Sequence, residues 1–153
     1  MSYFQPFNFI PMKKILLAAA LLAIFASCER NDQHIAYSEL PSAAQKFVEL
    51  YFGDEEISYV TEDPSVIDRS YDVYFSNGYK IEFDRHGEWT EVSCEPDCLP
   101  TGIVMNAIQT YVDQHFSSSC IMEISHEHSN YEVSLSNGMD LVFNRKGEFK
   151  YID

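Results

Sequence analysis

The sequence predicts an α+β fold of two tandem repeats. Each repeat is a helix followed by a four-stranded antiparallel meander, with the helices packed on one face of the sheet. Three observations carry the prediction. Residues 71–89, YDVYFSNGYKIEFDRHGEW, return as residues 131–149, YEVSLSNGMDLVFNRKGEF, at a gap-free offset of 60. A match of this length in apolar positions and turn residues alike marks one supersecondary unit used twice. Within each copy, apolar and polar residues alternate with the period of a strand that buries one face. Ahead of each copy stands a Leu-Pro pair, Leu40-Pro41 and Leu99-Pro100, followed by apolar residues at helical spacing.

In chain order, Met12-Lys13-Lys14 and the apolar run 15–25 read as the basic and hydrophobic regions of a secretory signal. Eleven apolar residues are too few to span a bilayer, which takes about 20. Ala26-Ser27-Cys28 then places small residues directly before a cysteine, so residues 1–27 read as a signal peptide and Cys28 as a lipidated first residue. Residues 1–11 read as an over-extended start. Residues 28–37 are polar and read as a tether between the lipid and a domain covering 38–153, with repeat one at 38–94 and repeat two at 98–153.

The chain carries a formal net charge of −14. Loss of residues 1–27, which hold two lysines and no acids, takes it to −16. That charge repels phosphate backbones and anionic headgroups, which excludes nucleic-acid binding and restricts membrane contact to the N-terminal lipid anchor.

The first helix is read from Ala44, Phe47, Val48, Tyr51 and Phe52, one amphipathic face, with Ser38 or Ser42 as its cap and Gly53-Asp54 as its stop. Residues 57–61 are the first strand and 62–70 a loop. Tyr71, Val73 and Phe75 then form one face of a ribbon, turned by Asn77-Gly78 as a type I′ hairpin. Tyr79, Ile81 and Phe83 continue that face, the turn 84–87 closes on Gly87, and Trp89 opens a further strand. The second helix is read from Val104, Ala107, Ile108, Tyr111 and Val112, extended by Phe116 and ended by residues 117–119. Residues 121–125 are a strand and 126–130 a loop, after which the second ribbon repeats the first.

Leu-Pro before an amphipathic helix, then Y-x-V-x-(F/L)-x-N-G and (I/L)-x-F-(D/N)-x-x-G-x-(W/F), twice and behind a lipoprotein signal, resembles the PepSY-like, β-lactamase-inhibitor-like lipoproteins of Bacteroides-type bacteria. The resemblance covers nearly all of 38–153. It implies a tandem α+β fold with helices on one face of an antiparallel sheet, and it implies little about activity. Asn144 stands where the first copy has Asp84, so the resemblance does not carry a duplicated acidic site at this turn.

A domain of this size buries roughly two thirds of its chain surface and needs neither disulfide nor metal for stability. The sheet face away from the helices is then the surface on which function would sit. Asp72, Tyr74, Lys80, Glu82, Glu132, Ser134, Asp140 and Val142 fall on it. Tyrosine among charges suits a protein interface, so the expected function is non-enzymatic binding of an unidentified protein or peptide, with inhibition of an envelope hydrolase as one form of it. The alternative is a periplasmic divalent-cation or small-ligand binder. A merely solvated face would show the same pattern.

Cys94 and Cys98 could close a small disulfide loop in an oxidising compartment, and Cys120 with either is the other pairing. No base is spaced to activate any of them as a nucleophile. His126 and His128 are weak metal candidates, since a lone His-x-His in a loop is more often solvated. The sequence holds no nucleophile elbow, phosphate-cradling glycine loop or HExxH, so neither catalysis nor a cofactor is expected. The expected address is the cell envelope, on the periplasmic side of the outer membrane or the cell surface.

Overall fold

The computed structural model describes residues 32–66, 68–127 and 129–153. The signal peptide, the lipidation site at Cys28, the first residues of the tether and His128 lie outside them. Nine strands form one sheet in sequence order: β1 (Gln33–Ile35), β2 (Ile57–Asp63), β3 (Ser70–Phe75), β4 (Lys80–Asp84), β5 (Trp89–Ser93), β6 (Ile121–Glu127), β7 (Asn130–Leu135), β8 (Asp140–Asn144) and β9 (Phe149–Ile152). Every neighbouring pair is antiparallel. Among the described residues two α-helices accompany them, α1 (Ser42–Phe52) and α2 (Asn106–His115).

The fold class expected from the sequence, two tandem helix-plus-four-strand repeats, is corrected by this topology. The described residues form one mostly-sheet unit, and β5 and β6 pair through Glu91–Ser125, Val92–Ile124 and Ser93–Glu123, so no boundary divides the sheet. The physical reason lies in one apolar row. Val60, Val73, Ile81, Val92, Ile124, Val133 and Leu141 are successive register partners, and each is at most 3% exposed. A row buried this evenly favours a continuous sheet over two separately closed ones, because an edge at β5 would expose Val92 and leave its backbone unpaired.

Both helices feed the same core. Ala44, Val48 and Phe52 of α1 and Ile108 and Val112 of α2 belong to one buried cluster with that row. Neither helix has a side-chain cap, and at 11 and 10 residues each is too short to persist alone. They persist because of what they cover. Phe47 meets Phe83 edge-on at 5.8 Å, and Tyr111 meets Phe143 in the same way at 5.4 Å.

Glycine turns set how closely the helices sit. Gly87 has φ +79°, and a Cβ there would lie 2.8 Å from the Ala44 backbone nitrogen and from Pro41 Cβ. Gly147 is placed likewise against Ala107 and Met105. The Asn77-Gly78 turn, in contrast, faces open space. It is not the expected two-residue type I′ turn: Gly78 N–H donates to Phe75 O and Phe75 N–H to Tyr79 O. That pattern is a three-residue loop closed by a left-handed glycine.

Further boundaries differ from expectation, among them β2, which runs to Asp63 and pairs with β3 where a loop from residue 62 is expected. Gln33–Ile35, expected within the tether, pairs with β2 and covers its edge. α2 begins at Asn106 rather than after Pro100, because Leu99 is first held to Ile121 of β6 and the chain then turns at Gly102. β6 extends to Glu127, so His126 lies on a strand rather than in a loop.

Candidate functional site

The face of the sheet opposite the helices carries two rows of side chains in register. One reads His34, Thr61, Asp72, Glu82, Glu91, Ser125, Glu132, Val142 and Tyr151. The other runs from Tyr59 through Tyr74, Lys80, Ser93, Glu123 and Ser134 to Asp140. All eight residues predicted for this face lie in these rows. Two of them are not surface: Asp72 is 3% and Val142 1% exposed. Tyr74, Lys80, Glu82 and Ser134 are half-buried, and Glu132 and Asp140 are exposed.

The face is organised around Lys80. Its ammonium lies 3.3 Å from Glu82 Oε2, 3.4 Å from Glu91 Oε1 and 3.8 Å from Asp72 Oδ1. Burial pulls this lysine down, but the carboxylates of Asp72, Glu91 and Glu82 outweigh it and hold the pKa above the usual lysine value. Beside it Tyr74 stacks on Tyr59 at 4.4 Å and its hydroxyl donates to Asp72 Oδ2 at 3.4 Å. Burial, then the Asp72 charge, raises the Tyr74 phenol. Across the central seam Glu123 is raised by burial and by crowding from Glu91 and Glu95, against a lowering hydrogen bond from Ser93.

Sequence reasoning missed Tyr59, Glu91, Ser93, Glu123 and Ser125. The alternation of Thr90, Glu91, Val92 and Ser93 carried the signal for β5. The pairing of β5 with β6, which places Glu91 and Glu123 on neighbouring strands, has no local signature.

The cysteines and histidines behave otherwise than expected. The disulfide joins Cys98 to Cys120, with Cα atoms 5.7 Å apart, not Cys94 to Cys98. Leu99 N–H donates to Ile121 O, which lays the linker beside the start of β6 and brings Cys98 to Cys120. Cys94 directly follows β5 and is fully buried in the core, and burial, then the Glu55 and Asp97 charges, pushes its thiol up to about 12. It is no nucleophile at neutral pH. His126 Nε2 lies 2.7 Å from the Trp89 carbonyl oxygen, which can only accept, so that nitrogen carries the proton and is unavailable to a metal. No cluster of three or more His, Cys, Asp or Glu among the described residues is arranged to hold a metal ion.

A family model described as "Putative beta-lactamase-inhibitor-like, PepSY-like" matches residues 69–151. The chain belongs to the PepSY-like family. Solved structures agree. A "putative periplasmic protein" of the DUF2874 family from Bacteroides vulgatus ATCC 8482 is 35% identical, with TM-score 0.78, over 83% of this chain and 99% of that one. A "putative calcium-regulated periplasmic protein" from Bacteroides thetaiotaomicron is 34% identical, with TM-score 0.78, over 80% of this chain and 97% of that one. A third, a "putative periplasmic protein of unknown function" from Bacteroides vulgatus ATCC 8482, is 26% identical, with TM-score 0.76, over 80% of this chain and 99% of that one. No curated protein matches this PepSY-like chain.

Proposed function

We propose that this PepSY-like protein is a non-enzymatic binding protein of the cell envelope, held by lipid at Cys28, that engages a protein or peptide through the sheet face opposite its helices. The observation that carries the reading is the Lys80 cluster, flanked by the Tyr59–Tyr74 stack and continued by half-buried serines across the seam. Such a patch offers an aromatic platform with charge-assisted hydrogen-bonding groups already held in place. The family's inhibitor-like description supports a hydrolase as the partner class. The periplasmic description of the relatives supports the envelope address, on the periplasmic side of the outer membrane or the cell surface.

The test is affinity capture from envelope extract with the unaltered chain and with Ser93→Arg and Ser134→Arg. A partner retained by the unaltered chain and lost with both variants supports the reading. A partner retained equally by all three refutes it.

A second reading, binding of a divalent cation, draws on one relative's calcium-regulated description and on the crowding of Glu91, Glu95 and Glu123. Of these, Glu91 already pairs with Lys80 at 3.4 Å, so a cation bound there would have to compete with its ammonium. Calorimetric titration with calcium decides it: micromolar affinity that rises in Lys80→Met would promote this reading above the first.

A further inference from the structure

The two matching ribbons are not packed alike on the helix side of the sheet. In the second, the Phe149 ring stacks on Tyr111 at 4.7 Å and 10°, and closes against Phe143. The corresponding pair in the first is Phe47 and Trp89, because Gly87 seats α1 at Ala43 and Ala44 as Gly147 seats α2 at Ala107 and Ile108. Phe47 and Trp89 make no ring contact. Phe47 meets Tyr51, Phe52 and Phe83, while Trp89 turns to His126 at 5.1 Å and Tyr131 at 6.4 Å. A cleft of about 290 Å³ opens between them, lined also by Ala43, Glu88, His126 and Tyr131.

The cleft does not end at the rings. Glu88, His126 and Tyr131 also line a neighbouring hollow of about 350 Å³ that reaches Asn130 and Arg145. The groove is therefore apolar and aromatic at one end, and lined by the polar residues Glu88, Asn130 and Arg145 at the other, with Asn130 Oδ1 already accepting from Lys150 Nζ. A lone ring would fill only the first part. An occupant that fills both has a flat apolar group joined to hydrogen-bonding amides, which is an aromatic residue within a peptide.

We propose that this groove is a second binding site, taking the aromatic side chain of a peptide into the slot between Phe47 and Trp89, where the other ribbon has its own ring. The site lies on the opposite side of the sheet from the Lys80 cluster and is independent of that reading. The His126 hydrogen bond to the Trp89 carbonyl holds the floor in place before the ligand arrives.

Trp89 is the chain's single tryptophan, so its emission reports on the slot directly. The probes are N-acetyl-L-phenylalaninamide, N-acetyl-L-leucinamide and free L-phenylalanine, titrated against the purified chain. The expected result is a saturable, millimolar change with the capped phenylalanine, weakened about three- to tenfold by the leucine probe or by Phe47→Leu, as loss of one ring contact requires. Ala43→Phe places a ring in the slot and should abolish binding while leaving circular dichroism and the urea midpoint intact. An unsaturable response, or equal affinity for leucine and phenylalanine probes, overturns the proposal. Tighter binding of free L-phenylalanine than of the capped form assigns the groove to amino acids and overturns the peptide.

Discussion

Replacing Gly87 with alanine tests how the helices are seated, and Gly78 supplies the control. Both glycines have positive φ, at +79° and +97°, where a Cβ costs roughly 1–2 kcal/mol. At Gly78 nothing lies within 4 Å of the added methyl, so that cost is the whole effect. At Gly87 the methyl would also sit 2.8 Å from the backbone nitrogen of Ala44 and from Pro41 Cβ. Backbone cannot swing aside as a flexible side chain can, so α1 must lift off Phe83 or the turn must deform. Overpacking of this kind adds about 1–3 kcal/mol. Gly78→Ala should therefore lose about 1–2 kcal/mol, and Gly87→Ala about 2–5 kcal/mol, in urea unfolding with unchanged slope. Equal losses in the two variants would show that α1 is not held against this turn, and the packing argument would fail.

Other expectations concern single groups. Glu123 is raised in the folded state, so its contribution is most favourable below the unfolded carboxylate pKa and is lost as pH rises through the folded one. Glu123→Gln should then raise the urea midpoint at neutral pH and leave it unchanged at acid pH; a loss at neutral pH would contradict this. Cys94 should resist thiol reagents in the native Cys28→Ser chain and react once on unfolding, whereas rapid native labelling would contradict its burial. The Tyr79 hydroxyl donates to Asp97 Oδ2 at 2.8 Å, and that bond, with burial, pushes its pKa up to about 12 from 10.0. Asp97→Asn should return one tyrosine to the ordinary range in ultraviolet titration, and an unchanged curve would contradict the bond.

Much of the ribbon geometry was legible because it is local. Tyr71, Val73 and Phe75 alternate, Gly87 closes its turn, and the same pattern recurs at Tyr131, Val133 and Leu135, so faces and hairpins follow from spacing. What was not legible depends on contacts distant in sequence. The seam of Val92 with Ile124 joins strands separated by residues 94–120, and no periodicity announces it. The same seam overturned the two-repeat architecture and placed Glu91 and Glu123 on one face. β1 escaped notice because Gln33-His34-Ile35 has one apolar residue and follows its partner's edge rather than a core of its own. The disulfide could not be assigned because burial of Cys94, rather than spacing, decides which thiols meet.

Site-specific photocrosslinking in envelope-localised protein tests the proposed sheet-face function most directly. A crosslinking residue at Ser93 or Ser134 should capture one discrete partner, while the same residue at Leu50, 72% exposed on the helix side, should not. Capture from Leu50 alone, or from none of the three, would contradict a function carried by the sheet.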